Sequence, residues 1–295
     1  MKIGFVGLGI MGRPMCKNLL KAGLTVTAFD PFAFEALDDV VSCGAIRGTS
    51  NADVAAKSDV VITMVPNSPH VKEAVMGKNG ILEGAKPGLI LVDMSSISPI
   101  ASKEICAEVE KKGCFMIDAP VSGGEPKAID GTLAIMVGGK VEVFDKVKDI
   151  LMLMGSSVTL CGDIGAGNTT KLANQIIVAA NIAAVGEALV LGKKAGVNPE
   201  AIYRAIRGGL AGSTVMDAKA PMMLDGNFNP GFRINLHIKD LNNALDAGHS
   251  VGAPLPLTSS VMEMMQWLKA TGHESEDHSS LVRYYEFLAD TDVRR

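Results

Sequence analysis

Seven short apolar runs, rich in β-branched residues, fall within the first 163 residues, and helical patterns separate most of them. Such runs are typical of strands buried on both faces of a sheet, and the segments between them are long enough for crossover helices. They predict a mostly parallel, doubly wound sheet. In chain order, the predicted strands are KIGFVG, LTVTAFD, DVVITMV, LILVDMS, CFMIDAP, LAIMVGG and SVTLCG.

The sequence pattern changes near residue 163. Beyond it, helical periodicity continues without a convincing strand. We therefore expect an α/β protein with a doubly wound sheet domain over residues 1–163 and an all-α domain over residues 164–295. The predicted helices of the second domain are 167–195, 198–208, 233–249, 257–270 and 278–289.

Charge and cysteine content exclude several classes of function. The net charge is −4 and no run of Lys or Arg exceeds two, so the chain lacks the basic footprint of a nucleic-acid-binding protein. Its five cysteines include no C-x-x-C pair and lie near no histidine pattern. This usage predicts reduced thiols in a cytoplasm, with no disulfide framework and no metal site.

One stretch, residues 175–192, is apolar enough to be tested as a membrane span. Asn181 and Glu187 lie inside it, and its many small residues favour a tightly packed helix buried in protein. At the N-terminus, glycines and Arg13 interrupt the apolar run before a signal-like core forms. We expect a soluble, cytoplasmic protein without a membrane partner.

Three glycines follow the first predicted strand with G-x-G-x-x-G spacing and lead into the first helix. This is the context that a dinucleotide-binding fingerprint requires. The first glycine allows the tight turn, the second lets the backbone approach a pyrophosphate, and the third lets helix and strand pack closely. The sheet domain is therefore expected to be of the Rossmann type. The predicted phosphate-binding residues are Gly7, Leu8, Gly9, Ile10, Met11 and Gly12.

Asp30 ends the second predicted strand, 18 residues beyond Gly12. A carboxylate there accepts hydrogen bonds from the adenosine ribose and repels a 2′-phosphate, and residues 31–35 contain no Lys or Arg to hold one. The pattern favours NAD over NADP. The alternative is that Asp30 only begins a turn before Pro31.

Two further loops follow strong strands, MVPNSP at 64–69 and VDMSSISP at 92–99. At the carboxyl edge of a parallel sheet, such loops face a bound dinucleotide. Ser96 or Ser95 could bind the nicotinamide amide or the substrate, whereas Ser98 suits a helix cap. The cofactor residues predicted from the first loop are Met64, Val65, Pro66 and Asn67.

A small-anion site is suggested by DAPVSGGEPKA at 118–128. Ser122, Gly123 and Gly124 offer a hydroxyl and unhindered backbone N–H groups, which suit a small carboxylate. The alternative is an ordinary glycine turn.

Lys171 is the only charged residue in GAGNTTKLANQ, residues 165–175. Helical spacing places it on one face with Asn168, Asn174 and Gln175. It is either a solvated surface lysine or a proton donor held in a pocket.

The segment FRINLHIKDLNNALDAG at 232–248 has apolar residues at helical spacing. Lys239 and Asp240 within it could be a solvated pair. His237 and His249 have no metal-ligand partners at suitable spacing, and we interpret them as packing or surface residues.

Taken together, the motifs resemble the β-hydroxyacid dehydrogenase family, which includes 3-hydroxyisobutyrate and 6-phosphogluconate dehydrogenases. GFVGLGIMGRPM resembles its N-terminal signature, DAPVSGG its substrate loop, GAGNTTK its catalytic lysine segment and KDL at 239–241 its late cofactor-proximal motif. The matches follow the family's order from residue 3 to about 250.

The resemblance implies a role for each of these segments. Lys171 would be the catalytic lysine and Ser122 to Gly124 the substrate-anchoring loop, while Ser96 and Lys239 would lie beside the cofactor. Many members carry Asn where this chain has Gln175, so either Asn174 or Gln175 would assist the substrate.

The expected reaction is the NAD-dependent reduction of a short semialdehyde acid, with lysine as general acid. Within the family, the segments PNSPHVKEAV, SGGEPKAIDGTL and IRGGLAGSTVMDAKAP favour 2-hydroxy-3-oxopropionate as the substrate and glycerate as the product. One alternative is another short 3-hydroxyacid dehydrogenase, acting for example on 3-hydroxyisobutyrate. The other is a non-catalytic NAD(H)-sensing module. A homo-oligomer is also expected, as the resemblance implies.

Overall fold

A computed structural model describes all 295 residues, and its first compact unit, Met1–Lys171, contains a nine-stranded sheet. The strand order is β3-β2-β1-β4-β5-β6-β8-β7, with β9 beside β8. The strands are β1 (Ile3–Val6), β2 (Val26–Phe29), β3 (Ile46–Arg47), β4 (Val60–Thr63), β5 (Ile90–Asp93), β6 (Phe115–Asp118), β7 (Val121–Ser122), β8 (Leu133–Gly138) and β9 (Gly155–Gly162).

The helices of this unit connect the strands, and α9 runs on from it into the second unit. They are α1 (Gly12–Lys21), α2 (Phe34–Ser42), α3 (Asn51–Ala56), α4 (Ser68–Met76), α5 (Ile81–Gly84), α6 (Pro99–Lys111), α7 (Gly124–Asp130), α8 (Val141–Met152) and α9 (Ala166–Lys194).

Strands β1 to β6 are parallel, whereas β8 runs antiparallel to β6 and β7. The carboxyl ends of β1, β4, β5 and β6 therefore meet at one edge of the sheet. This arrangement confirms the predicted fold class and all seven predicted strands. The sequence did not predict β3 and β7, because strands of two residues are too short to show a periodic pattern.

Alternation along the central strands builds two apolar cores, one on each face of the sheet. Phe5 and Val92 belong to one core, while their strand neighbours Val6 and Leu91 belong to the other. Because successive side chains point to opposite faces, a strand buried on both faces reads as an uninterrupted apolar run. That is why these strands were visible in the sequence.

The second compact unit, Leu172–Arg295, is helical. The two units divide inside α9, and the predicted domain boundary after residue 163 stays a prediction. The remaining helices are α10 (Pro199–Ile206), α11 (Thr214–Asp225), α12 (Ile234–Ser250), α13 (Pro256–Ala270) and α14 (Val282–Ala289), preceded by a 3-10 turn at His278–Leu281.

Most helix positions of the second unit agree with the sequence prediction. Asn198 caps α10 by accepting a hydrogen bond from the Glu200 amide, as its place before Pro199 indicated. Helix α11 was not predicted, because Pro221 lies inside it and interrupts the helical pattern.

Helix α9 is 29 residues long and apolar enough to cross a membrane by length and composition alone. Half of its most apolar window is buried inside the protein. Ile182 and Leu189 on this helix pack into the core of the helical unit. These contacts are what the core helix of a helical domain makes.

Candidate active site

The glycine loop between β1 and α1 has the shape that its spacing predicted. Gly7 has φ +93°, and a Cβ on it would lie 2.3 Å from the Met64 carbonyl oxygen. A Cβ on Gly12 would lie 2.0 Å from the Gly7 carbonyl oxygen, whereas a Cβ on Gly9 would have no protein atom within 4 Å. Gly7 and Gly12 are thus required for packing, while Gly9 leaves its space open to a ligand.

A groove with a volume of about 1000 Å³ lies against this loop. Its walls include Gly9 and Ile10 from the loop, Arg13 from α1, and Phe32 and Phe34 after β2. The groove is large enough for a nucleotide-sized ligand. The open space at Gly9 and the groove beside it fit the phosphate and adenosine parts of a dinucleotide.

Asp30 is buried, and its carboxylate fastens the glycine loop to the turn after β2. Oδ2 accepts a 2.7 Å hydrogen bond from the Leu8 amide. Oδ1 accepts from the Phe32 and Ala33 amides at 2.8 and 3.0 Å. Asp30 thus forms the turn after β2, and its contact with the adenosine ribose stays a prediction. Two carboxylate oxygens offer about four acceptor sites, so one remains for a ribose hydroxyl.

The serines after β5 take separate roles. Ser95 is buried, and its Oγ accepts a 3.0 Å hydrogen bond from the Val65 amide, so it ties together the two predicted cofactor loops. Ser98 caps α6 by accepting from the Ile100 amide, as expected. The nicotinamide contact that the family resemblance gives to Ser96 stays a prediction.

The loop that begins at Ser122 turns sharply at two successive glycines. Gly123 has φ +142° and Gly124 has φ +71°, values that side-chain-bearing residues rarely adopt. Both glycines are exposed, and α7 begins at Gly124. The exposed backbone of this loop, next to the Ser122 hydroxyl, is suited to a small anion.

Lys171 lies in the second turn of α9 and is only 7% exposed. The alternative of a solvated surface lysine is therefore excluded, while the role of Lys171 as a proton donor stays a prediction. Asn168, three residues earlier on the same helical face, is fully buried. Burying an ammonium costs free energy unless polar or charged partners compensate for the lost water.

Asp118, at the end of β6, contacts the start of α9, although the sequence motifs did not single it out. It is fully buried, and its carboxylate accepts hydrogen bonds from the Gly165 and Asn168 amides at the start of α9. Burial raises the pKa of Asp118 to about 6. Its position was visible in the sequence, because Asp30, Asp93 and Asp118 each follow an apolar run. The structure shows that all three are buried.

In the helical unit, four polar side chains form one network of hydrogen bonds and an ion pair. Asn174 Nδ2 donates to Gln175 Oε1 at 2.8 Å, and Gln175 Nε2 donates to Asp240 Oδ2 at 2.6 Å. Lys239 Nζ lies 3.0 Å from Asp240 Oδ1. The Asp240 side chain is only 2% exposed, so the prediction of a solvated Lys239–Asp240 pair is wrong.

His237 is buried beside this polar network, as a packing residue should be, whereas His249 is exposed. His237 Nε2 lies 3.2 Å from the Gln175 carbonyl oxygen. Because a carbonyl only accepts, this nitrogen carries the proton. The other ring nitrogen, Nδ1, lies 3.0 Å from Nδ1 of His278, so one of these two nitrogens donates to the other.

Comparison with known proteins agrees with this geometry along the whole chain. Residues 2–162 match the family profile described as the NAD binding domain of 6-phosphogluconate dehydrogenase. Residues 165–285 match the profile described as NAD-binding of NADP-dependent 3-hydroxyisobutyrate dehydrogenase. The chain belongs to the β-hydroxyacid dehydrogenase family. The resemblance recognised in the sequence is thereby confirmed.

Several members of this family are similar over their full length. The 2-hydroxy-3-oxopropionate reductase of Escherichia coli (strain K12) is 45% identical, with 98% of this chain and 99% of that protein covered. The 2-(hydroxymethyl)glutarate dehydrogenase of Eubacterium barkeri is 40% identical, with 99% and 97% covered. A structure of 3-hydroxyisobutyrate dehydrogenase from Mycobacterium tuberculosis with L-serine is 33% identical and superposes with a TM-score of 0.89, with 96% and 98% covered.

These relationships confirm that the protein is an NAD(P)-dependent oxidoreductase with a Rossmann-type sheet domain. The open space at Gly9 is suited to such a cofactor, and the individual cofactor contacts stay predictions. The assignment of individual side chains to catalysis and to substrate binding stays a prediction.

Proposed function

We propose that the protein reduces 2-hydroxy-3-oxopropionate to glycerate with NADH, using Lys171 as the general acid. One observation carries the reaction type: a lysine that is 7% exposed in the second turn of α9, just after the carboxyl edge of the sheet. The full-length similarity to the E. coli reductase, at 45% identity, supports this substrate.

The reaction needs a hydride at the aldehyde carbon and a proton at the carbonyl oxygen. Bound NADH would supply the hydride. As negative charge grows on the carbonyl oxygen, the Lys171 ammonium stabilises it and then donates a proton, which gives the alcohol. In the reverse direction, the neutral amine accepts the proton of the alcohol.

The substrate's carboxylate is assigned to the Ser122 loop. A three-carbon acid is too small to be oriented by apolar contacts, so its charge must provide most of the orientation. The Ser122 hydroxyl and the Gly123 and Gly124 amides can donate to its two oxygens. We assign the 2-hydroxyl to the hydrogen-bonded amide pair of Asn174 and Gln175, either of which could contact it.

NAD is proposed over NADP because Asp30 stands at the ribose position and residues 31–35 carry no cation. We also propose a cytoplasmic homo-oligomer. Large apolar side chains on the helical unit support the oligomer, since they are exposed on the single chain: Ile177, Leu191, Phe287 and Leu288.

A second candidate function is a 3-hydroxyisobutyrate-like dehydrogenase. The similarity to the M. tuberculosis enzyme of that name favours it. The two substrates differ at C2, which bears a hydroxyl in one and a methyl group in the other. A site that hydrogen-bonds the hydroxyl would discriminate strongly against the methyl compound.

A substrate panel tests the proposal. NADH oxidation is followed with 2-hydroxy-3-oxopropionate, with 2-methyl-3-oxopropanoate and with glycolaldehyde, which lacks the carboxylate. We expect the highest kcat/KM with 2-hydroxy-3-oxopropionate and the lowest with glycolaldehyde. A preference for the methyl compound would transfer the assignment to the second candidate, and equal use of glycolaldehyde would exclude both hydroxyacid assignments.

A further inference from the structure

The start of α9 is capped by a carboxylate from a distant part of the chain. Asp118 Oδ1 accepts a 2.7 Å hydrogen bond from the Gly165 amide, and Oδ2 accepts a 2.6 Å bond from the Asn168 amide. The first amides of a helix have no partner within the helix, and its N-terminus favours negative charge. Asp118 thus supplies, from the end of β6, the cap that α9 does not take from its own sequence.

Two glycines make this close approach possible. A Cβ on Gly138 would lie 2.4 Å from Asp118 Oδ1. A Cβ on Gly167 would lie 2.4 Å from the Met136 carbonyl oxygen and 2.9 Å from Asp118 Oδ2. The first turn of α9 therefore packs directly against the strand ends, with no side chain between them.

Asn168 connects the same turn to a second loop. Its Oδ1 accepts a 3.0 Å hydrogen bond from the Ile97 amide, and its Nδ2 donates to Ser102 Oγ at 3.1 Å. Ile97 directly follows Ser96, the candidate for the nicotinamide contact. One fully buried side chain thus links the turn that precedes Lys171 to the segment that carries Ser96.

A carboxylate is a costly way to cap a helix here. Burial raises the pKa of Asp118 to about 6, and it does the same for Asp93, the residue in register with it on β5. The thiol of Cys106 on α6 is a further titratable group near Asp118. Serine or asparagine would cap a helix without this desolvation cost. The extra strength and rigidity of two charge-assisted bonds are what Asp118 offers in return.

We propose that Asp118 is a positioning residue for the reaction, which holds the first turn of α9, and with it Lys171, in register with the Ser96 loop through Asn168. The inference rests on the proposed function of Lys171. The Lys171 side chain starts about one helical turn beyond the Asn168 amide, so a shift of the capped turn moves the ammonium directly. A misplacement of about 1 Å at a reacting group can cost a factor of about a hundred in rate.

The test is a double-mutant cycle between Asp118→Asn and Lys171→Ala. Asp118→Asn keeps the shape but turns one acceptor oxygen into an NH2 group that faces a backbone N–H. We expect kcat to fall roughly ten- to a hundredfold, while the Kd for NADH stays within about twofold. In the Lys171→Ala background the same change should have no further effect on kcat, because there is no ammonium left to position.

Glu286→Gln is the matched control, since Glu286 is also buried and accepts a backbone hydrogen bond, from Val293 on the helical unit. It should lower the denaturation midpoint and leave kcat unchanged. Ser102→Ala repeats the test by a milder change that leaves Asp118 intact, with kcat roughly two- to tenfold lower. This effect should also vanish in Lys171→Ala.

The outcomes separate the inference from the proposed function. If Lys171→Ala itself turns over at nearly the normal rate, the proposed function fails. If Lys171→Ala is impaired but Asp118→Asn and Ser102→Ala retain normal kcat, or lower it equally in both backgrounds, only the positioning role is overturned.

Discussion

Replacing Gly9 with alanine should separate cofactor binding from folding. The Cβ of Gly9 would meet no protein atom within 4 Å, and its backbone is not in the left-handed region. The free energy of unfolding without ligand should therefore change by less than about 0.5 kcal/mol. The methyl group would instead occupy the space through which the backbone approaches the pyrophosphate.

The expected loss of affinity follows from the bonds that would be displaced. A hydrogen bond to a charged group contributes about 1.5–3 kcal/mol, so losing one weakens NADH binding roughly ten- to a hundredfold. Two other glycines provide controls. Gly208→Ala adds a methyl group in equally open space on the helical unit and should alter neither property. Gly12→Ala should impair both, because its Cβ would lie 2.0 Å from the Gly7 carbonyl oxygen.

Calorimetric titration with NADH and urea denaturation of the ligand-free proteins provide the two measurements. A Gly9→Ala variant that binds NADH as tightly as the wild type would refute the assignment of this loop to the pyrophosphate. A variant that is destabilised as strongly as Gly12→Ala would show that Gly9 is required for packing, contrary to the geometry.

Three further predictions address the cofactor, the substrate and pH. The double variant Asp30→Ser, Pro31→Arg should raise kcat/KM for NADPH relative to NADH, because it removes a carboxylate that repels the 2′-phosphate and adds a cation that binds it. A wild type that already prefers NADPH would contradict this prediction. Ser122→Ala should raise KM for the semialdehyde acid and lower kcat/KM roughly ten- to a hundredfold, measured by NADH oxidation; an unchanged KM would remove the carboxylate anchor. Because burial raises the pKa of Asp93 and of Asp118 to about 6, each binds a proton more readily in the folded protein than in the unfolded chain. These two groups should thus add to the free energy of unfolding as the pH falls from 7.5 to 5, by roughly 1 kcal/mol each, and Asp93→Asn should remove its share in urea titrations.

The parts of the fold that could be predicted are those in which local sequence and burial agree. Strands such as β4 and β5 are buried on both faces, so their apolar runs identified them. Helix α11 was missed because Pro221 contradicts the local pattern, although Ser213 provides a regular cap by accepting from the Met216 amide. Tertiary packing tolerates this proline, and a single sequence does not show that packing.

The site could be predicted where the residues that form it are neighbours in one short motif, as in the glycine loop. It could not be predicted where partners are distant in sequence. Asp118 meets the start of α9 across 47 and 50 residues, and Asn168 meets Ile97 across 71. Lys171 was recognised as chemically unusual, but only the structure distinguishes a buried lysine from a solvated one. The same holds for Lys239, whose partner Asp240 proved to be buried.

The most direct test of the account is the single-turnover rate of NADH oxidation by Lys171→Ala with 2-hydroxy-3-oxopropionate. Single-turnover conditions report the chemical step without product release. We expect a rate roughly a hundred to ten thousand times below that of the wild type, with an unchanged Kd for NADH. A correctly folded Lys171→Ala that oxidises NADH at nearly the wild-type rate would contradict the assignment of Lys171 as the proton donor.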